Sequence, residues 1–122
     1  SLNATLFSIK FYDENNGWIV GSLENDTLIL HTTDGGTTWS RQTTPSTGLI
    51  FDLVIISPTE LWSCGFNLYS KLIFNTTDSG TTWNEIIQSS SVLTLRGISA
   101  YGSTMCACGM NKNSEILIIK KP

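Results

Sequence analysis

The sequence predicts an all-β protein, a segment of a β-propeller whose blades are sheets of four antiparallel strands. Three observations indicate this fold class: a repeat with a period of 44 residues, turn-forming residues at intervals of about 8–12 residues, and β-branched or aromatic runs between the turns. Four short strands in each period match the roughly 40–45-residue blade of a propeller. No stretch keeps the apolar period of an amphipathic helix over three turns.

The repeat is clearest in an octapeptide with Asp at its third position. The sequence TTDGGTTW at residues 32–39 recurs as TTDSGTTW at residues 76–83, an offset of 44 residues. The same offset relates two further sets of residues, which are 18–21, 62–65 and 106–109 in one set and 28–30, 72–74 and 116–118 in the other. It also relates Phe7 to Phe51 and Leu95, so this alignment of the units contains no insertion.

Each unit is predicted to fold as four strands joined by short polar turns. In the first unit the strands are expected at residues 6–12, 18–22, 27–33 and 37–42. The units span residues 1–44, 45–88 and 89–122 of one propeller segment. Because Lys120, Lys121 and Pro122 stand where the third octapeptide would begin, we expect two complete blades and a third that lacks its last strand.

The octapeptide has a physical role as a hairpin turn. The carboxylates of Asp34 and Asp78 can accept hydrogen bonds from the turn that follows, and glycines at positions 36 and 80 adopt positive φ at low cost. A β-branched threonine then suits the strand, and a buried indole contributes about 2–3 kcal/mol of stability. The predicted structural residues are Asp34, Gly36, Thr38, Trp39, Asp78, Gly80, Thr82 and Trp83.

These octapeptides resemble Asp-boxes, also called bacterial neuraminidase (BNR) repeats. The patterns GWIVG at residues 17–21 and ILHTTDGGTTW at residues 29–39 are similar to repeats of the photosystem II stability and assembly factor family and its bacterial relatives. The resemblance implies a seven-bladed propeller that is exported and that holds protein partners on one face through loops. The corresponding loops are expected at residues 15–17, 24–26, 43–48 and 67–71.

Nearly three blades form an open arc, because propellers usually close with about four to eight. An open arc exposes flat apolar sheet faces and unpaired strand edges. Three arrangements stay open: the chain is a fragment of a larger propeller, two copies together supply about six blades, or neighbouring copies exchange strands. In the third arrangement the self-assembly edge consists of Ile116, Leu117, Ile118 and Ile119.

The sequence provides no convincing catalytic or metal site, and we expect no cofactor. A sialidase presents several arginines to its substrate, whereas this chain has only Arg41 and Arg96. The single histidine, His31, precedes an Asp-box and is interpreted as a repeat residue. Asp52 lies within an apolar first strand, and we expect its carboxylate to point to water rather than into a central channel.

The cysteines and the glycosylation sequons are further candidate sites. The odd number of cysteines (Cys64, Cys106 and Cys108) cannot pair fully within one chain, and we expect them to be small buried residues of second strands. A bridge between Cys64 and Cys108 is the minor alternative. Candidate glycosylation sites are Asn3, Asn25 and Asn75, of which the turn residue Asn25 is the best acceptor.

Composition excludes several classes of partner. Seven basic against ten acidic residues give a net charge of −3, which argues against binding to nucleic acid. No apolar run approaches the roughly 18 residues that a membrane-spanning segment needs, so membrane insertion is not expected. A charged fraction of only 14%, offset by abundant Ser and Thr, agrees with an exported protein (extracellular, periplasmic or lumenal).

These observations predict a non-enzymatic scaffold for protein binding or assembly, whose partners are proteins or further copies of itself. Two alternatives stay open. The chain is a self-assembling structural subunit, a ring or filament completed by other copies, or it is the accessory part of a carbohydrate-active protein that binds glycans.

Overall fold

The computed structural model describes residues 3–45, 47–66, 71–86, 93–111 and 116–120. Within these residues the predicted all-β fold is confirmed, with eleven strands in three antiparallel sheets and no helix. The first sheet contains β1 (Ala4–Phe11), β2 (Gly17–Leu23), β3 (Asp26–Thr32) and β4 (Ser40–Gln42). The second contains β5 (Leu49–Ile55), β6 (Leu61–Phe66), β7 (Lys71–Thr76) and β8 (Asn84–Glu85). The third contains β9 (Leu93–Tyr101), β10 (Thr104–Asn111) and β11 (Ile116–Lys120).

Each sheet is a meander in which neighbouring strands follow one another in sequence. The strands are rich in β-branched and aromatic residues, which favour a pleated surface, and the turns between them contain Gly, Asn and Asp. The first strands lie side by side, because β5 contacts both β1 and β9. The strands β4 and β8 lie at the opposite edges of their sheets, so the sheets are arranged as blades around their first strands.

Apolar side chains on alternating strand positions fill the space between neighbouring sheets. The cluster between the first and second sheets contains Trp18, Val20, Ile29, Ile50, Leu53, Leu61, Phe74 and Trp83. The cluster between the second and third sheets contains Trp62, Cys64, Ile73, Leu95, Ile98, Met105 and Ala107. Since burial of one such aliphatic or aromatic side chain is worth about 1.5–3 kcal/mol, these two clusters supply the main stabilisation of the stack.

Every first strand contains a β-bulge opposite a glycine of the second strand. The residues opposite the bulges are Gly21, Gly65 and Gly109, and a Cβ atom there would lie 1.8–2.0 Å from a backbone carbonyl oxygen of the first strand. Any larger residue would push the strands apart, because this approach is closer than van der Waals contact allows. The bulges therefore explain why glycine ends each repeated four-residue pattern.

The position of the third bulge corrects the alignment of the units. The bulged residues are Phe7, Phe51 and Arg96, so Arg96 and not Leu95 is the structural equivalent of the two phenylalanines. The reason is the turn between β9 and β10, which has two residues between the paired Tyr101 and Thr104, whereas three residues lie between Tyr12 and Asn16 and between Ile56 and Glu60. The expectation of an alignment without insertions is wrong for the first strand of the third unit.

Candidate functional site

The two Asp-box turns are built by the same hydrogen bonds. Asp34 accepts hydrogen bonds from the hydroxyl of Thr38 at 2.6 Å, from the backbone N–H of Thr38 at 2.9 Å and from the hydroxyl of Thr32 at 2.8 Å. Asp78 is held in the same way, with Thr82 in place of Thr38. These hydrogen bonds stabilise the ionised carboxylates and lower the pKa of both to about 2. The hydroxyl of Thr38 or Thr82 has the largest effect.

Two successive left-handed residues close each Asp-box turn. Gly36 has φ of 93° and Gly80 has φ of 89°, and the residues before them, Gly35 and Ser79, have φ of 71° and 60°. Glycine adopts this conformation without the steric cost that a Cβ atom imposes. The turn can therefore bring the backbone N–H of the threonine four positions after the Asp back to the Asp carboxylate.

The tryptophans of the two Asp-boxes have different surroundings. Trp83 is buried in the cluster between the first and second sheets. Trp39 is half-buried; its indole N–H donates to the carbonyl of Gly36 at 3.1 Å, and its ring meets the ring of Phe11 edge-on. The first sheet covers Trp83, and no described residue gives Trp39 equivalent cover, so the same sequence motif has two levels of burial.

Gln42 joins the first sheet to the Asp-box of the second. Its Nε2 donates to the backbone carbonyl of Ser79 at 3.0 Å, and its Oε1 accepts from the indole N–H of Trp83 at 3.0 Å. The side chain also lies where a Cβ atom on Gly80 would be, 2.0 Å from Oε1. Sequence reasoning missed Gln42, because its partners are 37 and 41 residues away and the corresponding residue of the second unit is Ile86.

One end of the first sheet carries a polar cavity of about 440 Å³. It is lined by Asp26, Arg41, Gln42, Thr43, Thr44, Pro45 and Thr47. Within it the guanidinium of Arg41 donates to the backbone carbonyl of Thr27 at 3.0 Å and lies 3.5 Å from the carboxylate of Asp26. Both charged side chains are nearly half exposed, so this ion pair is open to exchange with an incoming charged group.

The cavity brings together two of the loops that were expected to form one binding face. The turn at residues 24–26 and the connector at residues 43–48 both line or border it. The loop at residues 15–17 lies at the opposite end of the sheet, where Asn15 accepts a hydrogen bond from the N–H of Gly35 in the Asp-box. The expectation that all these loops share one face is therefore wrong for residues 15–17, and residues 67–70 lie outside the described part of the chain.

Asp52 connects the first strands of all three sheets. Its carboxylate accepts hydrogen bonds from the hydroxyl of Ser8 at 2.9 Å, from the ammonium of Lys10 at 3.4 Å and from the backbone N–H of Ile98 at 3.1 Å. The side chain is only 20% exposed. The expectation that Asp52 points to water is wrong, because its strand β5 lies between the first strands β1 and β9 of the neighbouring sheets.

One protein-family model matches most of the chain. The model of the family described as photosynthesis system II assembly factor YCF48 matches residues 1–107. The chain belongs to the YCF48 family. The predicted family resemblance is thereby confirmed, and the Asp-box turns of the first two sheets lie entirely within the matched residues.

Solved structures support membership of the YCF48 family. Six chains match, and one of them is YCF48 bound to a D1 peptide, with a TM-score of 0.72 and 25% sequence identity. That match covers 96% of this chain and 36% of the YCF48 chain, so this chain spans little more than a third of that relative. A comparison with curated proteins returns no match.

The cysteines of this YCF48-family chain differ in exposure. Cys64 is buried, and burial, followed by the nearby carboxylate of Asp52, raises the pKa of its thiol to about 12. Cys106 is half-buried and Cys108 is exposed, and all three thiols are free. The expectation of burial is wrong for Cys108, because β10 belongs to the last described sheet and no described sheet packs on its outer side.

His31 and the asparagines of the glycosylation sequons differ in their surroundings. His31 stacks on Trp18 with ring centroids 4.2 Å apart, and burial lowers the pKa of its imidazole. Asn3 and Asn25 are exposed, whereas Asn75 is half-buried in β7 with its Oδ1 atom buried. Glycosylation stays a prediction, as does assembly through β11, which pairs with β10 along one edge.

Among the described residues of this YCF48-family chain, no group of three or more His, Cys, Asp and Glu residues comes together in a way that could hold a metal ion. The described part of the chain also contains no helix with the length and hydrophobicity needed to cross a membrane.

Proposed function

We propose that this chain is a non-enzymatic, protein-binding segment of an assembly scaffold. The observation that carries the proposal is membership of the YCF48 assembly-factor family together with similarity to a YCF48 chain that holds a D1 peptide. This chain spans 36% of that relative. The identity of its binding partner and the activity of any larger protein that contains it are therefore also proposals.

The state of the carboxylates supports a non-enzymatic role. Asp34 and Asp78 are ionised at neutral pH, since the pKa of each is about 2, and both are engaged in their turns. Asp52 is engaged with groups from two neighbouring sheets. A general acid needs a carboxyl that keeps its proton near the working pH, which neither Asp-box carboxylate does.

The polar cavity at the connector end supports a binding face. Arg41 is the cation at this cavity, and threonine hydroxyls around it can donate or accept hydrogen bonds from a peptide backbone. Its guanidinium can form bidentate bonds with a carboxylate, replacing the loose contact with Asp26. We therefore place the peptide-binding site of this segment at this end, opposite the Asp-boxes.

A titration with a D1 peptide tests the proposal. We expect binding that Arg41→Gln weakens by about tenfold, equivalent to roughly 1.4 kcal/mol, in fluorescence anisotropy or calorimetry. Tyr101→Glu is the matched control, because it changes the net charge by the same amount at the opposite end, where Tyr101 is 92% exposed. Absence of binding at peptide concentrations up to about 1 mM would contradict the proposed function for this partner class.

We also infer an exported location. Family membership and the low charged fraction of 14% support it. Expression of the native gene with a C-terminal reporter and fractionation of the cells would test this inference. Recovery of the reporter in the cytosol alone would contradict it.

A further inference from the structure

Two dipeptides at the Asp-box end of the first sheet have a sequence in which an Asn or Asp side chain reacts with the backbone. They are Asn16–Gly17, between β1 and β2, and Asp34–Gly35, in the Asp-box. A following glycine favours this reaction, because no Cβ atom shields the attacking backbone nitrogen. The two dipeptides are neighbours, since Gly35 donates its N–H to the carbonyl of Asn15 at 3.0 Å.

The Asp-box holds Asp34 in an unreactive form. Its carboxylate accepts hydrogen bonds from the hydroxyls of Thr32 and Thr38 and from the backbone N–H of Thr38, so both oxygens are engaged. These bonds favour the ionised carboxylate, which is a much poorer electrophile than a carboxyl or an amide. The nitrogen that would attack belongs to Gly35, whose N–H is already bonded to the carbonyl of Asn15.

The side chain of Asn16 is held in a different way. Its amide nitrogen donates to both oxygens of Asp13, at 3.0 Å each, and its backbone N–H donates to the same carboxylate at 2.8 Å. Bonds through the amide nitrogen restrain the side chain, but they leave its carbonyl carbon electrophilic. Because Asp13 is exposed, water competes for its carboxylate, and the turn opens more easily than the strands do.

The contact between β1 and β2 favours glycine at position 17. A Cβ atom there would lie 2.7 Å from ring atoms of Phe11, so a larger residue would have to displace that ring. The fold therefore retains a labile dipeptide, and the lifetime of this dipeptide depends on how firmly Asp13 restrains Asn16.

We propose that Asn16 is a deamidation site and that Asp13 sets the rate at which it reacts. The backbone nitrogen of Gly17 loses its proton to water and attacks Cγ of Asn16. A C–N bond forms, the bond from Cγ to the amide nitrogen breaks, and ammonia leaves with a proton taken from water. Water then opens the resulting succinimide at either carbonyl and yields aspartate or isoaspartate.

The modification alters the turn that supports the Asp-box. Isoaspartate routes the main chain through the side-chain carbon, which lengthens the backbone directly after the Asn15 carbonyl that accepts from Gly35. The site lies at the end of the sheet opposite the connector, so the inference is independent of the proposed peptide binding.

Peptide mapping by mass spectrometry, with chemical detection of isoaspartate, tests the proposal on the folded chain in mildly alkaline buffer. We expect deamidation at Asn16 and no isoaspartate at Asp34. Asp13→Asn keeps an acceptor for the backbone N–H groups but removes the charged acceptor for the Asn16 amide. It should raise the rate about tenfold, the effect of one lost charge-assisted hydrogen bond on a local opening equilibrium.

Two controls separate this effect from general loosening. Glu14→Gln removes the adjacent exposed carboxylate and should leave the rate unchanged. Reaction at Asp34 in the same sample reports opening of the whole region, so acceleration at Asn16 alone assigns the effect to Asp13. An Asn16 that stays intact in wild type and in Asp13→Asn, while a synthetic peptide of residues 11–20 reacts fully, overturns the proposal. Equal rates in wild type and Asp13→Asn overturn the role of Asp13.

Discussion

Asp34 and Asp78 show how a single side chain can determine the shape of a turn. Each carboxylate accepts hydrogen bonds from the threonine four positions later, and two left-handed residues between them allow this approach. The folded state therefore binds the ionised form more strongly than the unfolded chain does. The pKa of about 2 in the folded state against roughly 3.9 in an unfolded chain makes this preference measurable.

The stability contributed by the Asp-boxes should depend on pH. Because both folded-state pKa values are lowered, the contribution is fully present above about pH 4 and is lost as the pH falls toward 2. We expect Asp78→Asn to lower the urea midpoint at pH 7 and to remove about half of the acid-dependent loss, since two equivalent boxes share it. Urea unfolding at pH 7, 4 and 2 measures both effects.

A matched variant distinguishes the Asp-box from charge removal in general. Glu14→Gln removes an exposed carboxylate outside the boxes and should leave the acid-dependent loss unchanged. Equal acid dependence in wild type and Asp78→Asn would show that the threonine hydrogen bonds do not stabilise the folded chain.

At the scale of elements, Gln42 couples β4 of one sheet to the turn that precedes β8 of the next. The carboxamide satisfies the indole N–H of Trp83 and the carbonyl of Ser79 together. A buried group left without its hydrogen-bond partner costs about 1–3 kcal/mol. Gln42 thus connects the first sheet to the hairpin formed by β7 and β8 of the second sheet.

Gln42→Leu should destabilise the chain by about 1–3 kcal/mol, because it leaves the Trp83 indole N–H and the Ser79 carbonyl without partners. Trp83→Phe removes the indole N–H, so the double variant should cost less than the two single changes added together. A double-mutant cycle from urea unfolding measures this coupling, expected at about 0.5–3 kcal/mol. Additive costs would show that the contact between Gln42 and Trp83 contributes nothing to stability.

At the scale of the whole molecule, Asp52 of the second sheet contacts both of the other sheets. The hydrophobic clusters each join two sheets, whereas this carboxylate binds Ser8 and Lys10 of the first and Ile98 of the third. Burial of a carboxylate is costly unless hydrogen bonds compensate for the lost water. The first strands provide those bonds, so the position of Asp52 depends on all three sheets being in place.

Asp52→Leu should therefore destabilise the stack by about 1–3 kcal/mol, because Ser8 and the N–H of Ile98 lose their acceptor. Native-state hydrogen exchange should show faster exchange in β1 and β9 than in β6. Uniform acceleration across the three sheets would contradict the linking role of Asp52.

Lys10→Met is the control for the charge of this site. The side chain of Lys10 is 48% exposed and its ammonium lies 3.4 Å from the carboxylate, so the ion pair alone is worth about 0–1 kcal/mol and weakens with salt. A loss as large as that of Asp52→Leu would show that the ion pair, and not the pair of hydrogen bonds, holds the first strands together.

Much of the fold could be predicted because its determinants are local. The Asp-box turn depends on residues within four positions of one another, and the 44-residue period reveals how many such units occur. The third bulge could not be placed, because the 44-residue offset aligns Leu95 with the two phenylalanines, and only the pairing of Leu95 with Gly109 across the sheet shows that Arg96 is the bulged residue. For the candidate site, the turn at residues 24–26 and the connector at 43–48 were predicted, but not that they share a cavity with Arg41.

By itself, the sequence determined the Asp-box turns and the order of the strands and sheets, since these follow from the conformational preferences and hydrogen bonds of neighbouring residues. The fourth strand is shorter than predicted and begins at Ser40 rather than residue 37, because Thr38 is held in the Asp-box turn. Only the tertiary structure decided the contacts of Gln42 and Asp52 and the exposure of Cys108. Those contacts join residues 37 to 46 positions apart, and exposure depends on whether another sheet packs on that side. Each repeat unit folds into the same kind of sheet, but the contacts of equivalent residues differ because they depend on the neighbouring sheet.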